Sequence, residues 1–320
     1  MEKRRLGRSN LMVSPICFGG NVFGWTVDEA ASFRLLDAFL EAGFNFIDTA
    51  DVYSRWAPGN TGGESESIIG KWMKARGNRD AVVIATKVGS EMGPGRKGLS
   101  KKHVRESVEA SLRRLQTDHI DLYQSHRDDP ETPQSETLST YAELIDEGKV
   151  RAIGASNFSA TRLREALDTS AKMGLPRYET LQPLYNLFDR SELEGDLEKV
   201  CLDNAISVIS YSSLASGFLT GKYRSERDFG KSVRGGRMGN YLNERGLRIL
   251  AALDQVAIHH GSTPAQVALA WLMARPGIAA PIASATSLDQ LQDLIAAARL
   301  RLEPSDIEKL DRAGKVTAAA

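Results

Sequence analysis

Cysteine is scarce: Cys17 and Cys201 are the only two in 320 residues, far apart and without a CxxC or a histidine ladder beside them. That excludes a disulfide framework and offers no zinc-ligand spacing, so no metal is expected and both thiols are expected to fill core space. Net charge is lacking too. Lys plus Arg and Asp plus Glu each total 41, which excludes a global field drawing the chain to nucleic acid or to an anionic membrane surface. No run approaches the ~18 apolar residues of a membrane span, and the basic start MEKRRLGRSNL has no apolar stretch behind it. A cytoplasmic protein with neither a nucleic-acid nor a membrane partner is therefore expected. Fixed repeats, low-complexity tracts and Pro/Gly/Ser linkers are also missing, so one domain over residues 1–320 is expected. The sequence assigns no oligomeric state.

What is present is alternation. Short β-like runs fall at 15–18, 44–48, 82–87, 120–126, 150–156, 180–182, 207–211 and 280–282. Helical patterns lie between and after them, at 28–41, 64–76, 100–115, 136–147, 160–173, 190–203, 245–260, 264–275 and 288–298. Strands alternating with helices call for parallel βαβ units, and eight such units close into an α/β fold of the (β/α)8 TIM-barrel type; an open doubly wound sheet is the alternative. The opening KRRLGRSNLMVS predicts a β-hairpin around Gly7-Arg8-Ser9-Asn10 that plugs the N-terminal end of the barrel.

One motif invites a cofactor reading. Gly93-Pro94-Gly95-Arg96-Lys97-Gly98 matches G-x-G-x-x-G, yet a dinucleotide-binding turn begins directly at the strand end, and here several residues intervene after Lys87. A βα loop with Ser100 as N-cap of the next helix is the simpler expectation.

Lys87 itself carries more. It ends an apolar strand, as Asp48 ends FNFID and His126 ends IDLYQSH, and polar side chains at the C-terminal ends of neighbouring barrel strands converge on the face that carries active sites. Taken singly, a turn-capping Asp48, an outward-snorkelling Lys87 and a His126 bonded to a loop carbonyl are the plain alternatives. Together with Tyr53, five residues past Asp48, they form a set suited to carbonyl chemistry. Lys87 is expected to lower the Tyr53 pKa, Asp48 to hold Lys87, and His126 to orient a substrate oxygen. Hydride must then come from a nicotinamide cofactor, because side chains carry none.

Along nearly its whole length the chain resembles the aldo-keto reductases, including their potassium-channel β-subunit-like branch. The matching motifs are GFNFIDTADVYS, VIATKVG, DLYQSHRDDP, GKVRAIGASNFS, LQPLYNLFDR, VISYSSLASGFLTGKYR and SATSLDQLQDL. The resemblance implies Asp48, Tyr53, Lys87 and His126 as the catalytic tetrad of an NAD(P)H-dependent enzyme acting on a small carbonyl or alcohol. It further implies Ser156, Asn157 and Gln182 on the nicotinamide carboxamide, Tyr211 stacked on the ring, and Ser212, Leu214, Gly217 and Lys222 around the pyrophosphate. Ser284, Thr286 and Gln290 would serve the adenosine end. Many members carry a cation in that last segment, whereas this chain has Thr286 and no basic residue from 283 to 297; the family habit points to NADPH, with NADH as the other option. Trp25 and Trp56 are expected to wall the substrate pocket or to anchor loops. Arg234 and Arg237, in the long 220–243 loop, are phosphate candidates or plain solvated charges. A cofactor-binding redox sensor or channel-associated subunit, and a Schiff-base aldolase using Lys87, are the competing functions.

Overall fold

The computed structural model describes residues 2–315; Met1 and residues 316–320 of the expected domain lie outside the described residues. An antiparallel pair, β1 (Arg4–Arg5) and β2 (Met12–Val13), precedes the alternation. There follow β3 (Cys17–Gly19), α1 (Glu29–Glu41), β4 (Phe46–Asp48), α2 (Glu64–Arg76), β5 (Val83–Val88), α3 (Lys101–Leu115), β6 (Ile120–Ser125) and α4 (Gln134–Asp146). The second half runs β7 (Val150–Ser156), α5 (Ala160–Met173), β8 (Tyr178–Gln182), α6 (Asp196–Asp203), β9 (Ser207–Val208), α7 (Glu244–His260), α8 (Pro264–Met273), β10 (Ile282–Ala283), α9 (Leu288–Ala297) and α10 (Pro304–Gly314).

Each element follows from its residues. All six residues of β6 are buried, as expected of a parallel strand covered on both faces. In α3, Val104, Val108, Ser111, Leu112 and Leu115 form one buried stripe, the spacing of a helix that packs on a sheet. Gly77 and Gly174 stop α2 and α5 in the left-handed region, at φ 61° and 65°, where a Cβ is penalised.

The parallel sheet is ordered β10-β3-β4-β5-β6-β7-β8-β9. Its two edges meet: the Val208 N–H donates to the Gly277 carbonyl (2.8 Å), the Ala279 N–H to the Val208 carbonyl (2.9 Å), and the Ile282 N–H to the Ser210 carbonyl (2.8 Å). The sheet thus curls into a TIM-type barrel, the closed alternative of the two expected. The β1–β2 hairpin plugs its N-terminal end. Leu6, Leu11 and Val13 pack with the inward-facing Cys17, Phe46, Leu122 and Ile209, while the Gly7 N–H donates to Ser207 Oγ at 2.8 Å. Among the described residues, no helix is long and apolar enough to cross a membrane.

Several boundaries differ from the sequence reading. Helix α6 starts at Asp196, not at 190, because Gly195 holds φ 104°, ψ −125°, a conformation open only to glycine. Helix α10 was not expected at all, although Glu303 and Asp306 form a reciprocal capping box with Pro304 in the first turn. The strand expected at 207–211 is only Ser207–Val208, with Tyr211 continuing as an isolated bridge to Leu184.

A buried polar cluster joins α2, β5 and α3. Glu66 Oε1 accepts from Thr86 Oγ1 and Glu66 Oε2 from Arg114 Nε, each at 2.6 Å. Asp51 lies buried nearby with Oδ1 unpartnered; burial first, and then the Glu66 charge, push its carboxyl up to about 8. Between the ordinary carboxylate range and that value the native state holds a proton that the unfolded chain has released, so this group stabilises the fold at low pH and its contribution disappears as pH rises through about 8. Unfolding free energy from denaturant titrations should therefore fall between about pH 5 and pH 8 by an amount that Asp51→Asn removes. An identical pH slope in both proteins would contradict this assignment.

Candidate active site

The ends of β4 and β5 sit side by side, Asp48 opposite Ala85 and Lys87 two residues further on. Lys87 is fully buried and Asp48 only 1 % exposed. A charge in that position needs partners, and the Lys87 ammonium has three. It donates to Asp48 Oδ2 (2.7 Å), to the Thr49 carbonyl (2.7 Å) and to the Tyr53 hydroxyl (2.9 Å). The Tyr53 hydroxyl in turn donates to Asp48 Oδ2 at 3.2 Å. Residues after β4 fold back to make this possible, with the Tyr53 N–H closing a turn onto the Ala50 carbonyl at 3.1 Å.

His126 lies one residue past β6 and extends the ladder, its N–H donating to the Val88 carbonyl at 2.8 Å. The imidazole and the Tyr53 ring are 6.1 Å apart between centroids, and its Nδ1 is buried without a partner. Burial, and then the positive charges of Lys87 and Arg127, hold the imidazole well below its ordinary value, so it is neutral. The expected lowering of the Tyr53 pKa is not found. Burial, and then the Asp48 carboxylate, push the hydroxyl well above its ordinary value; Lys87 is already engaged by Asp48, so the phenol meets a compensated cation. The result is a protonated phenol, the form that can donate to a substrate oxygen.

The later strands complete the floor. Gln182 Nε2 donates to Asp48 Oδ1 (2.9 Å) and to Gln124 Oε1 (3.3 Å). Asn157, left-handed at φ 57°, turns its amide back to donate to the His126 carbonyl (2.9 Å) and Ser156 Oγ (3.0 Å), and its Oδ1 accepts from the Tyr211 hydroxyl (3.0 Å). Ser156 Oγ donates to the Gln182 carbonyl at 2.8 Å. Gln124 was missed by sequence reasoning. Its signal was its place two residues before His126 on the same strand, hence on the same face.

Beyond β9, Ser212, Ala215, Ser216 and Gly217 all have positive φ, and the turn is closed by the Ala215 N–H donating to the Ser212 carbonyl (2.7 Å) and the Gly217 N–H to the Leu214 carbonyl (2.8 Å). Lys222 has no ion-pair partner among the described residues, and a Cβ on Gly217 would sit 3.5 Å from its Nζ. The uncompensated ammonium beside a glycine cradle fits a pyrophosphate. Leu214 is partly buried at the same turn. Further round, Ser284 Oγ lies 2.7 Å from the Gly19 carbonyl and 2.6 Å from Asn21 Oδ1. Gln290 Oε1 accepts from the Thr286 N–H (2.9 Å) and hydroxyl (3.2 Å) at the N-terminus of α9; these two exposed residues touch none of the tetrad. The loop of residues 93–98 is no dinucleotide turn. Gly98 packs against Asp129, whose Oδ2 accepts from the Leu99 N–H at 2.7 Å, and Ser100 caps α3 as expected.

Aromatic rings cluster beside Tyr53. Trp56 stacks edgewise on Tyr53 (5.9 Å) and on Trp25 (5.8 Å), and the Arg234 guanidinium lies 5.4 Å over the Trp25 ring. Arg237 is exposed.

Comparison with known proteins gives the family. The model of the Aldo/keto reductase family matches residues 15–315. "Uncharacterized oxidoreductase YrpG" of Bacillus subtilis is 36% identical, with 97% of this chain and 95% of that protein covered. "Aldo-keto reductase YhdN" of the same organism is 36% identical, with coverage of 86% and 81%. A "Probable voltage-gated potassium channel subunit beta" of Arabidopsis thaliana is 33% identical, with coverage of 98% and 96%. A buried Asp48–Lys87–Tyr53 cluster beside His126 on a TIM-type barrel, and a family match over nearly all described residues, lead to one conclusion: the chain belongs to the aldo/keto reductase family.

Proposed function

We propose that this oxidoreductase interconverts a small aldehyde, ketone or sugar carbonyl and the corresponding alcohol, with Tyr53 as the general acid and base and NADPH as the favoured cofactor. The observation that carries the reading is the hydrogen-bonded Asp48–Lys87–Tyr53 cluster. When bound, the reduced nicotinamide supplies the hydride that this chain's own residues lack. Tyr53 donates its proton to the carbonyl oxygen as that oxygen becomes an alkoxide, and the Lys87 ammonium, 2.9 Å away, stabilises the phenolate left behind. Asp48 keeps Lys87 in place. The neutral His126 imidazole orients the carbonyl, and Trp56 and Trp25 exclude water from one side. For the cofactor, Ser156, Asn157 and Gln182 would hold the carboxamide, Tyr211 the ring face, and Ser212, Leu214, Gly217 and Lys222 the pyrophosphate. Ser284, Thr286 and Gln290 would meet the adenosine ribose, where the lack of a basic residue from 283 to 297 tempers the preference for NADPH over NADH.

The aldolase reading fares worse. A Schiff-base lysine must present a free neutral amine, and the Lys87 ammonium is pinned by three acceptors. The sensor or channel-subunit reading shares its cofactor site with the enzyme reading and is separated from it by slow turnover with tight cofactor retention and by a stable complex with a membrane partner.

Tyr53→Phe should lower kcat by ~10²-fold or more with the cofactor Kd little changed, because the phenol acts on the reacting oxygen; steady-state kinetics with a fluorescence titration reads both, and unchanged kcat would remove Tyr53 from the chemistry. Thr286→Arg should shift the NADPH:NADH affinity ratio toward NADPH by ~5-fold or more, the size of one added charge-assisted contact. The same titration checks it, and an unmoved ratio would show that the segment lies away from the 2′-phosphate.

A further inference from the structure

Three ligand-type side chains meet on the outside of the barrel, where α7 ends and α10 begins. His260 Nε2 lies 2.7 Å from Asp306 Oδ2 and His259 Nδ1 3.7 Å from Asp306 Oδ1. The two imidazole rings are 4.7 Å apart, and one donor atom from each of the three residues lies within 4.8 Å of the others. None of the three belongs to the site described above.

The usual account of such a group is an interhelical hydrogen bond that also serves as a helix cap, and His260 with Asp306 satisfies it. His259 does not enter that account: its imidazole makes no hydrogen bond among the described residues, and it points a ring nitrogen at the second oxygen of the same carboxylate. Donors bound to zinc at ~2.1 Å in tetrahedral geometry stand ~3.4 Å apart. With one Asp306 oxygen as donor, the His260 pair at 2.7 Å would open slightly, and the three donors, within 4.8 Å of one another, would draw together to reach it. Two imidazoles and one carboxylate suit zinc and its late first-row neighbours, not magnesium or calcium, which take oxygen donors. His259 is 56% exposed, which leaves room for water as a fourth ligand.

We propose that His259, His260 and Asp306 form a surface site for zinc or a similar late first-row divalent cation, which ties the C-terminal turn of α7 to the first turn of α10. The site carries no catalytic role; it braces the last helix of the barrel. Reading cysteine spacing missed it because the donors are histidines and an aspartate 46 residues apart, and only the packing of α10 on α7 brings them together.

The test is a zinc chloride titration of EDTA-treated full-length protein, by calorimetry and by thermal unfolding. One saturable equivalent should bind, Tm should rise with zinc, and equal magnesium should leave Tm unchanged. His259→Ala, which removes an exposed ring, should leave the metal-free Tm intact and weaken zinc binding at least ~10-fold; His259→Ala with His260→Gln should abolish it. No saturable binding, an equal response to magnesium, or unchanged affinity in either variant would overturn the proposal.

Discussion

A fully buried ammonium organises this molecule's working face. Lys87 sits where water cannot reach it, and an unpartnered charge there would cost several kcal/mol. Its three acceptors therefore do more than neutralise it. Asp48 fixes β4 against β5, the Thr49 carbonyl forces the chain to turn as β4 ends, and the Tyr53 hydroxyl brings the returning loop onto the same point. The other oxygen of Asp48 is taken up by Gln182, and Gln182 by Gln124, so β8 and β6 are drawn into the same network. Breaking a buried ion pair from one side typically costs ~3–5 kcal/mol, which makes this network as much a structural constraint as a chemical one.

The constraint also sets protonation. Burial, and then the Asp48 carboxylate, raise the phenol instead of lowering it, and burial, and then the Lys87 charge, keep the imidazole neutral. The protonated phenol and the neutral imidazole lie edge to face, with ring centroids 6.1 Å apart. Beyond β9, the left-handed turn from Ser212 to Gly217 lies beside Lys222, which has no ion-pair partner among the described residues.

Much of this was legible in the sequence, and for stated physical reasons. Charged residues at the ends of apolar runs located Asp48, Lys87 and His126, since such positions are tolerated only with partners. Alternation gave the barrel, and KRRLGRSNLMVS its plug. What stayed hidden depended on three-dimensional neighbours. The sign of the Tyr53 shift turned on the burial of the phenol and then on the Asp48 carboxylate beside it, and Gln124 looked like an ordinary strand residue until Gln182 and Asp48 stood beside it. Helix α10 followed a short polar tract in which the Glu303–Asp306 capping box is only a weak signal. The start of α6 moved because Gly195 needs a conformation that helical periodicity cannot reveal.

The central claim is that this site delivers hydride to a carbonyl carbon and a proton to its oxygen. Its most direct test is to incubate the protein with NADPH carrying deuterium at the transferable C4 position, together with aromatic and aliphatic aldehydes, and to read the products by proton NMR. The account predicts alcohols with one deuterium on the carbinol carbon, formed in step with loss of the reduced cofactor. Alcohol without label, or cofactor bound tightly yet never oxidised by any carbonyl, would contradict it.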